Sequence, residues 1–195
     1  SRHRAGTRYF SRGVDADGHV SNSVETEQFV LIAPPSLQQP KDMEDVEGKT
    51  RLSFVQTRGS VPVFWAEVNT LRYKPDLLIP DDPRTGAAIS RHFAQQVSTY
   101  GKTYIVNLVN QSGYEKPVKE AFERAVQYLN NPLVSYTYFD FHHACKGMKF
   151  DRAALVFDQL EREGFALDDY FSLDTVAAPR LQLQKSVVRL SLIHI

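Results

Sequence analysis

The chain has 195 residues, 42% hydrophobic and 24% charged, which suffices for one domain with a sizeable core and excludes the disordered and fibrous classes. Its 23 basic residues balance 23 acidic ones, so no net field argues for nucleic acid as a partner. A single cysteine, Cys145, rules out an intrachain disulfide, and no run reaches the roughly 20 apolar residues of a membrane span.

The start is basic, with Arg2, His3, Arg4, Arg8 and Arg12, and suits either an anionic partner or a solvated surface. Thr7–Arg12 and His19–Ile32 read as strands around the turn signal Asp15-Ala-Asp-Gly18, a hairpin pattern. Residues 33–50, with Pro34, Pro35, Pro40, Gly48 and the acidic set Asp42, Glu44, Asp45 and Glu47, read as a long loop. Leu52–Gln56 and Val61–Trp65 read as two strands broken at Arg58-Gly-Ser60, with Pro62 placing the second at an edge or a bulge.

The period changes after residue 82. Asp82-Pro83 reads as a helix start, and Ile89, Phe93, Val97 and Tyr100 recur at helical spacing behind it. Tyr104–Val109 reads as a buried strand, and Val118, Ala121, Phe122, Ala125, Val126 and Leu129 as the apolar stripe of a second helix. Val134–Phe141 reads as a strand, Asp151 as the cap of a helix carrying Val156, Phe157 and Leu160, and Leu181–Val188 as a last strand. The expected fold is α/β: a mixed sheet, antiparallel hairpins in the N-terminal half, β-α-β units in the C-terminal half, and helices covering the sheet.

Chemistry is harder to place. A cysteine phosphatase needs arginine six residues after its cysteine, because the loop between them must wrap one tetrahedral anion. After Cys145 that place holds Asp151, so the thiol reads as structural. Asp140 and His142 share one face of the predicted Val134–Phe141 strand, whereas the adjacent His142 and His143 point to opposite faces and chelate no common ion. Glu25 and Glu27 also share a strand face. Arg58-Gly-Ser60 offers an arginine beside a glycine, which fits a phosphate contact as well as a plain bulge or turn. No zinc spacing and no glycine-rich phosphate loop is present.

Several blocks together resemble Sac-domain phosphoinositide phosphatases. They are Arg4–Gly13, Val24–Gln28, Phe54–Trp65, Val61–Glu67, Leu71–Pro75, Asn107–Gln111, Glu115–Pro117 and Tyr138–His143, and the later ones are most similar to the suppressor-of-actin type. Ser21-Asn-Ser23 departs from the Ala-Asn-Phe usual there. The resemblance implies hydrolysis of phosphatidylinositol 4-phosphate through a cysteine-phosphate intermediate, without metal or cofactor. It also implies work at the cytoplasmic face of endoplasmic-reticulum and Golgi membranes. The family's Cys-x5-Arg loop follows a strand that corresponds to Gln184–Arg189.

Residues 1–189 are therefore expected to be a partial catalytic region and 190–195 a non-native tail from sequencing or splicing. The 195-residue chain is expected to be inactive, since the nucleophile loop would follow Arg189. Candidate substrate-binding residues are Arg58, Arg8, Arg12, Asp140 and His142; the expected partner is a phosphoinositide headgroup at a membrane surface. The other readings are a non-catalytic phosphoinositide-binding or scaffold module, and a fragment that does not fold.

Overall fold

The computed structural model describes residues 12–32, 50–68, 75–174 and 180–193. In chain order the strands and helices are β1 (Val24–Ile32), β2 (Thr50–Ser60), β3 (Ala66–Val68), β4 (Asp76–Leu78), α1 (Thr85–Tyr100), β5 (Lys102–Asn107) and α2 (Lys116–Val126). They continue with β6 (Val134–Tyr138), α3 (Phe141–Ala144), α4 (Leu155–Arg162), β7 (Phe171–Asp174), β8 (Arg180–Gln182) and β9 (Ser186–Leu192). All but Arg12 of the expected strand Thr7–Arg12 and all but Thr50 of the expected loop 33–50 lie outside the described residues, as do Leu71–Lys74.

The mixed α/β fold expected from the pattern is the one observed. The main sheet has the order β6-β5-β9-β2-β7-β8, and β1 pairs with β2. The pairs β5·β6, β5·β9 and β2·β9 are parallel, whereas β1·β2, β2·β7 and β7·β8 are antiparallel. The parallel strands β5 and β9 are buried on both faces, as runs rich in Val and Ile require. On one face Ile105 meets Ile89 and Phe93 of α1 and Val118, Phe122 and Ala125 of α2. On the other, Tyr104, Val106 and Val188 meet Leu160 of α4 and Phe165.

Three local expectations are corrected. Arg58-Gly-Ser60 does not break a strand: β2 runs straight through it, and Val61–Trp65 is irregular, with Trp65 Nε1 donating to the Val61 carbonyl at 3.3 Å. Gly59 is there for space, because a Cβ would meet Val20 Cγ2 at 2.9 Å and Arg189 Nη2 at 3.3 Å. The segment 181–188 is two strands rather than one, with the break at Leu183–Lys185. There the Gln184 amide donates to the Val55 carbonyl and accepts from the Val55 N–H, both at 2.8 Å. One side chain thus fills the gap between β7 and β9 along the same edge of β2. Finally, α1 begins after Asp82-Pro83, at Thr85, and α4 begins at Leu155 with no cap from Asp151.

Arg189, midway along β9, is wholly buried and paired with no carboxylate among the described residues. It donates to the Ser60 carbonyl at 2.7 Å, the Leu190 carbonyl at 3.3 Å and the Ser191 hydroxyl. Burial draws its pKa down to about 9, so the guanidinium is still charged at neutral pH. Nearby on α1, buried His92 donates from Nδ1 to the Gly18 carbonyl at 3.0 Å and leaves Nε2 without a partner. Burial first, and then the Arg189 charge, hold the His92 pKa well below 6.5.

The unfolded chain therefore takes up a proton near pH 6.5 that the folded chain refuses, and stability falls as pH drops below that value. The loss approaches about 1.4 kcal/mol per pH unit. Urea titrations between pH 7 and 5 should show it, and His92→Asn, which retains a donor toward Gly18, should flatten the dependence; an equal slope in both proteins would refute this. Gln184→Ala should cost about 1–3 kcal/mol, because it strands both polar groups of Val55. An unchanged urea midpoint would count against the bridging role.

Candidate active site

At the carboxyl ends of β5 and β6 lies a cleft of about 730 Å³. In an open α/β sheet this is the end where ligands collect, because the loops there diverge toward helices on opposite faces. The chain leaves β5 at Asn107 and turns through Asn110–Glu115, with a 3₁₀ turn at Gly113–Glu115, into α2. Asn107 fixes the first step by accepting from the Val109 N–H at 3.1 Å while donating to the Tyr136 hydroxyl at 2.9 Å. A smaller hollow of about 340 Å³ shares Asn110, Glu115 and His142 with the cleft and runs on to Leu192 and Ile193 at the end of β9.

The carboxylates of the cleft are all engaged. Glu115 accepts from the Asn110 N–H at 2.8 Å and Asp140 from the His143 N–H at 2.8 Å. Glu67, on β3, accepts an ion pair from Arg12 at 2.7 Å and a hydrogen bond from the Tyr114 hydroxyl at 3.2 Å. Burial, then the Glu67 charge, push the Tyr114 phenol up to about 12, so it stays a neutral donor. Burial, then the Asp140 charge, do the same for Tyr138, also to about 12. The basic side chains that line the cleft are His142, His143 and Lys146, and Lys146 forms no salt bridge among the described residues.

The sequence candidates fall in different places. Asp140 and His142 line the cleft, but not as a pair on one strand face. β6 ends at Tyr138, and Asp140 is instead the N-cap of the short helix α3, which carries both histidines. His143, which a continued strand would turn to the opposite face, therefore joins them. Arg12 lies behind the wall, its side chain only 7% exposed, and it holds Glu67 while crossing the Trp65 ring at 5.9 Å. Arg58 is exposed on β2, opposite Val24, outside the cleft lining. Arg8 lies outside the described residues. Cys145 is buried and free, as a structural thiol should be. Glu25 and Glu27 do share a face, where they accept from Tyr100 and Ser53.

The profile of the SacI homology domain family (Syja_N) matches residues 1–146. The chain belongs to the SacI homology domain family. It is 49% identical over 168 residues to phosphatidylinositol-3-phosphatase SAC1 of Saccharomyces cerevisiae, covering 86% of this chain and 25% of that protein. An uncharacterized protein of Schizosaccharomyces pombe is 42% identical over 189 residues, 97% of this chain and 30% of the relative. Human phosphatidylinositide phosphatase SAC2 is 44% identical over 161 residues, 82% of this chain and 13% of the relative. The chain thus spans less than a third of the length of each.

The blocks that carry the Sac resemblance gain a spatial meaning. Val61–Glu67, Asn107–Gln111, Glu115–Pro117 and Tyr138–His143 are scattered along the sequence, yet each sends at least one residue to the cleft wall. That convergence is the available signal for Glu67, Asn110, Gln111 and Glu115, none of which stands out as a single residue. Lys146 gives no comparable signal. No helix among the described residues is long and apolar enough to cross a membrane.

Glu67→Gln removes the carboxylate that pairs with the nearly buried Arg12 guanidinium at 2.7 Å and should destabilise the fold by about 3 kcal/mol. Thermal or urea unfolding measures this, and a loss below about 0.5 kcal/mol, the level of an ordinary surface change, would show the pair to be idle.

Proposed function

We propose that this region is the scaffold side of a phosphoinositide phosphatase site acting on phosphatidylinositol 4-phosphate. A thiolate in a loop that follows β9 attacks phosphorus, the inositol oxygen leaves with a proton, and water then releases phosphate from the phosphocysteine. One observation carries the reading: β9, parallel to both β5 and β2, brings its carboxyl end beside the cleft, where the hollow at Leu192 and Ile193 meets His142. A phosphate loop placed there would face Lys146, His142 and His143 across the cleft, with Asn110, Gln111 and Ser112 at hand for ring hydroxyls. The proposed setting is the cytoplasmic face of endoplasmic-reticulum and Golgi membranes.

In this reading the 195-residue polypeptide binds the headgroup without cleaving it. Its one thiol is buried, and Asp151 stands where the loop arginine would have to be. Residues 190–195 are read as a tail in place of the loop, although Leu190–Leu192 extend β9 in register with β2. The underlying transcript tests that point directly.

The function is tested in two measurements on the purified chain. Phosphate release from phosphatidylinositol 4-phosphate vesicles should stay at the blank level; sustained turnover would overturn the inactivity. Soluble inositol 1,4-bisphosphate should shift the NMR signals of His142, His143 and Lys146, and Lys146→Ala should weaken its binding about fivefold or more. No shift at millimolar headgroup, or shifts confined to other surfaces, would remove the cleft from the proposal.

A further inference from the structure

The rim of the cleft carries a feature of which headgroup binding uses only Lys146. Immediately after α3 the chain makes a tight turn at Lys146–Phe150 with two successive residues in the left-handed region, Gly147 at φ 73° and Met148 at φ 62°. For methionine this conformation is uncommon and costly, and glycine is the residue that enters it freely. The Phe150 N–H closes the turn by donating to the Met148 carbonyl at 2.9 Å. Nothing lies within 4 Å of the position a Cβ on Gly147 would take, so the turn stands clear of the body.

What it presents is apolar. Met148 is 80% exposed and Phe150 59%, and Leu155 at the start of α4 is 48% exposed. Exposed cations flank these side chains: Lys146, Lys149 and Arg152, against the single acid Asp151 within Lys146–Arg152. Lys146 also lines the cleft, so the turn and the cleft share one rim.

We propose that the Lys146–Phe150 turn is a membrane-docking tip, which inserts Met148 and Phe150 into the interfacial layer of an anionic bilayer. The charge pattern argues for a bilayer as the occupant. Two apolar side chains on a projecting turn, ringed by cations on long stems, match a layer whose interior is hydrocarbon and whose surface is negative. The proposal rests on the reading of the cleft as a headgroup site, since a lipid headgroup is reached only if the rim meets the membrane. Each cation near an anionic surface is worth about fivefold in binding.

The test uses the full 195-residue chain and vesicles free of phosphoinositide, either phosphatidylcholine alone or with 30% phosphatidylserine (a probe composition, on the order of cytoplasmic-leaflet charge). The chain should sediment with the anionic vesicles, less so at high salt, and weakly with neutral ones. Met148→Ser with Phe150→Ser should reduce that binding about tenfold, and Lys149→Glu about fivefold or more. Both sites are exposed, so melting curves should not change. The Phe150→Trp variant adds an exposed reporter to the one buried tryptophan, Trp65, and should show blue-shifted emission that brominated lipid quenches. Wild-type and double-variant chains binding alike, a reporter that is not quenched, or a dimer that the double variant dissolves would each overturn the proposal. Vesicle binding with no response to inositol 1,4-bisphosphate would sink the headgroup site and leave the tip standing; the reverse result sinks the tip alone.

Discussion

The structure depends on one buried guanidinium. Stripping an arginine of water costs several kcal/mol, and the usual remedy is a carboxylate. Arg189 is given none among the described residues, and its charge is spread over the Ser60 and Leu190 carbonyls and the Ser191 hydroxyl. The bond to Ser60 ties the middle of β9 to the end of β2, and the other two stay within β9. They also dictate neighbours: position 59 must be glycine to let the guanidinium pass, and His92 must remain neutral. From Ser60 the connection goes on. Its hydroxyl accepts from the Gly13 N–H at 2.9 Å, its own N–H donates to Ser21, and the next residue back, Arg12, holds Glu67 in the cleft wall. A charge at the middle of the sheet is in this way mechanically joined to the rim of the site.

The helices are legible in the sequence because their signal is local. The stripes Ile89–Phe93 and Val118–Ala125 bury the side chains that their period points inward. The strand β5 is legible for the same reason, through Thr103, Ile105 and Val106, whereas only Val187 and Val188 signal β9. What misleads is glycine. Arg58-Gly-Ser60 reads as a break because glycine usually marks one, yet here it marks the close approach of a side chain from β9, a residue 130 positions away in the chain. No window of sequence contains that partner. Likewise Leu183–Lys185 carries no turn signal, and the break in pairing there is made good by Gln184 reaching a third strand.

The site is half legible. Asp140 and His142 stand out by their position at the end of a strand, which the sheet's parallel order makes a place for ligands. The strand stops at Tyr138, earlier than its aromatic and β-branched pattern suggests, and that small difference brings His143 into the site. Adjacent residues diverge on a strand, but both reach outward from the first turn of a helix. Arg12 is the opposite case. A basic cluster at the start suggests a surface for anions, whereas Arg12 has a nearly buried side chain paired with Glu67 of the cleft wall.

The Gln184 bridge has a wider consequence for cooperativity. The antiparallel part, β1-β2-β7-β8, and the parallel part, β2-β9-β5-β6, share β2 and abut along its edge at Phe54 and Val55. Continuity along that edge rests on a side chain that can rotate away, whereas the strand pairs on either side of it are backbone ladders. The two parts are thus candidates for separate foldons, coupled through β2 itself, the Gln184 amide and Asp169, which accepts from the Lys185 N–H at 2.7 Å and from the Ser186 hydroxyl. A rotation of Gln184 opens the edge of β2 between the two parts without breaking either ladder.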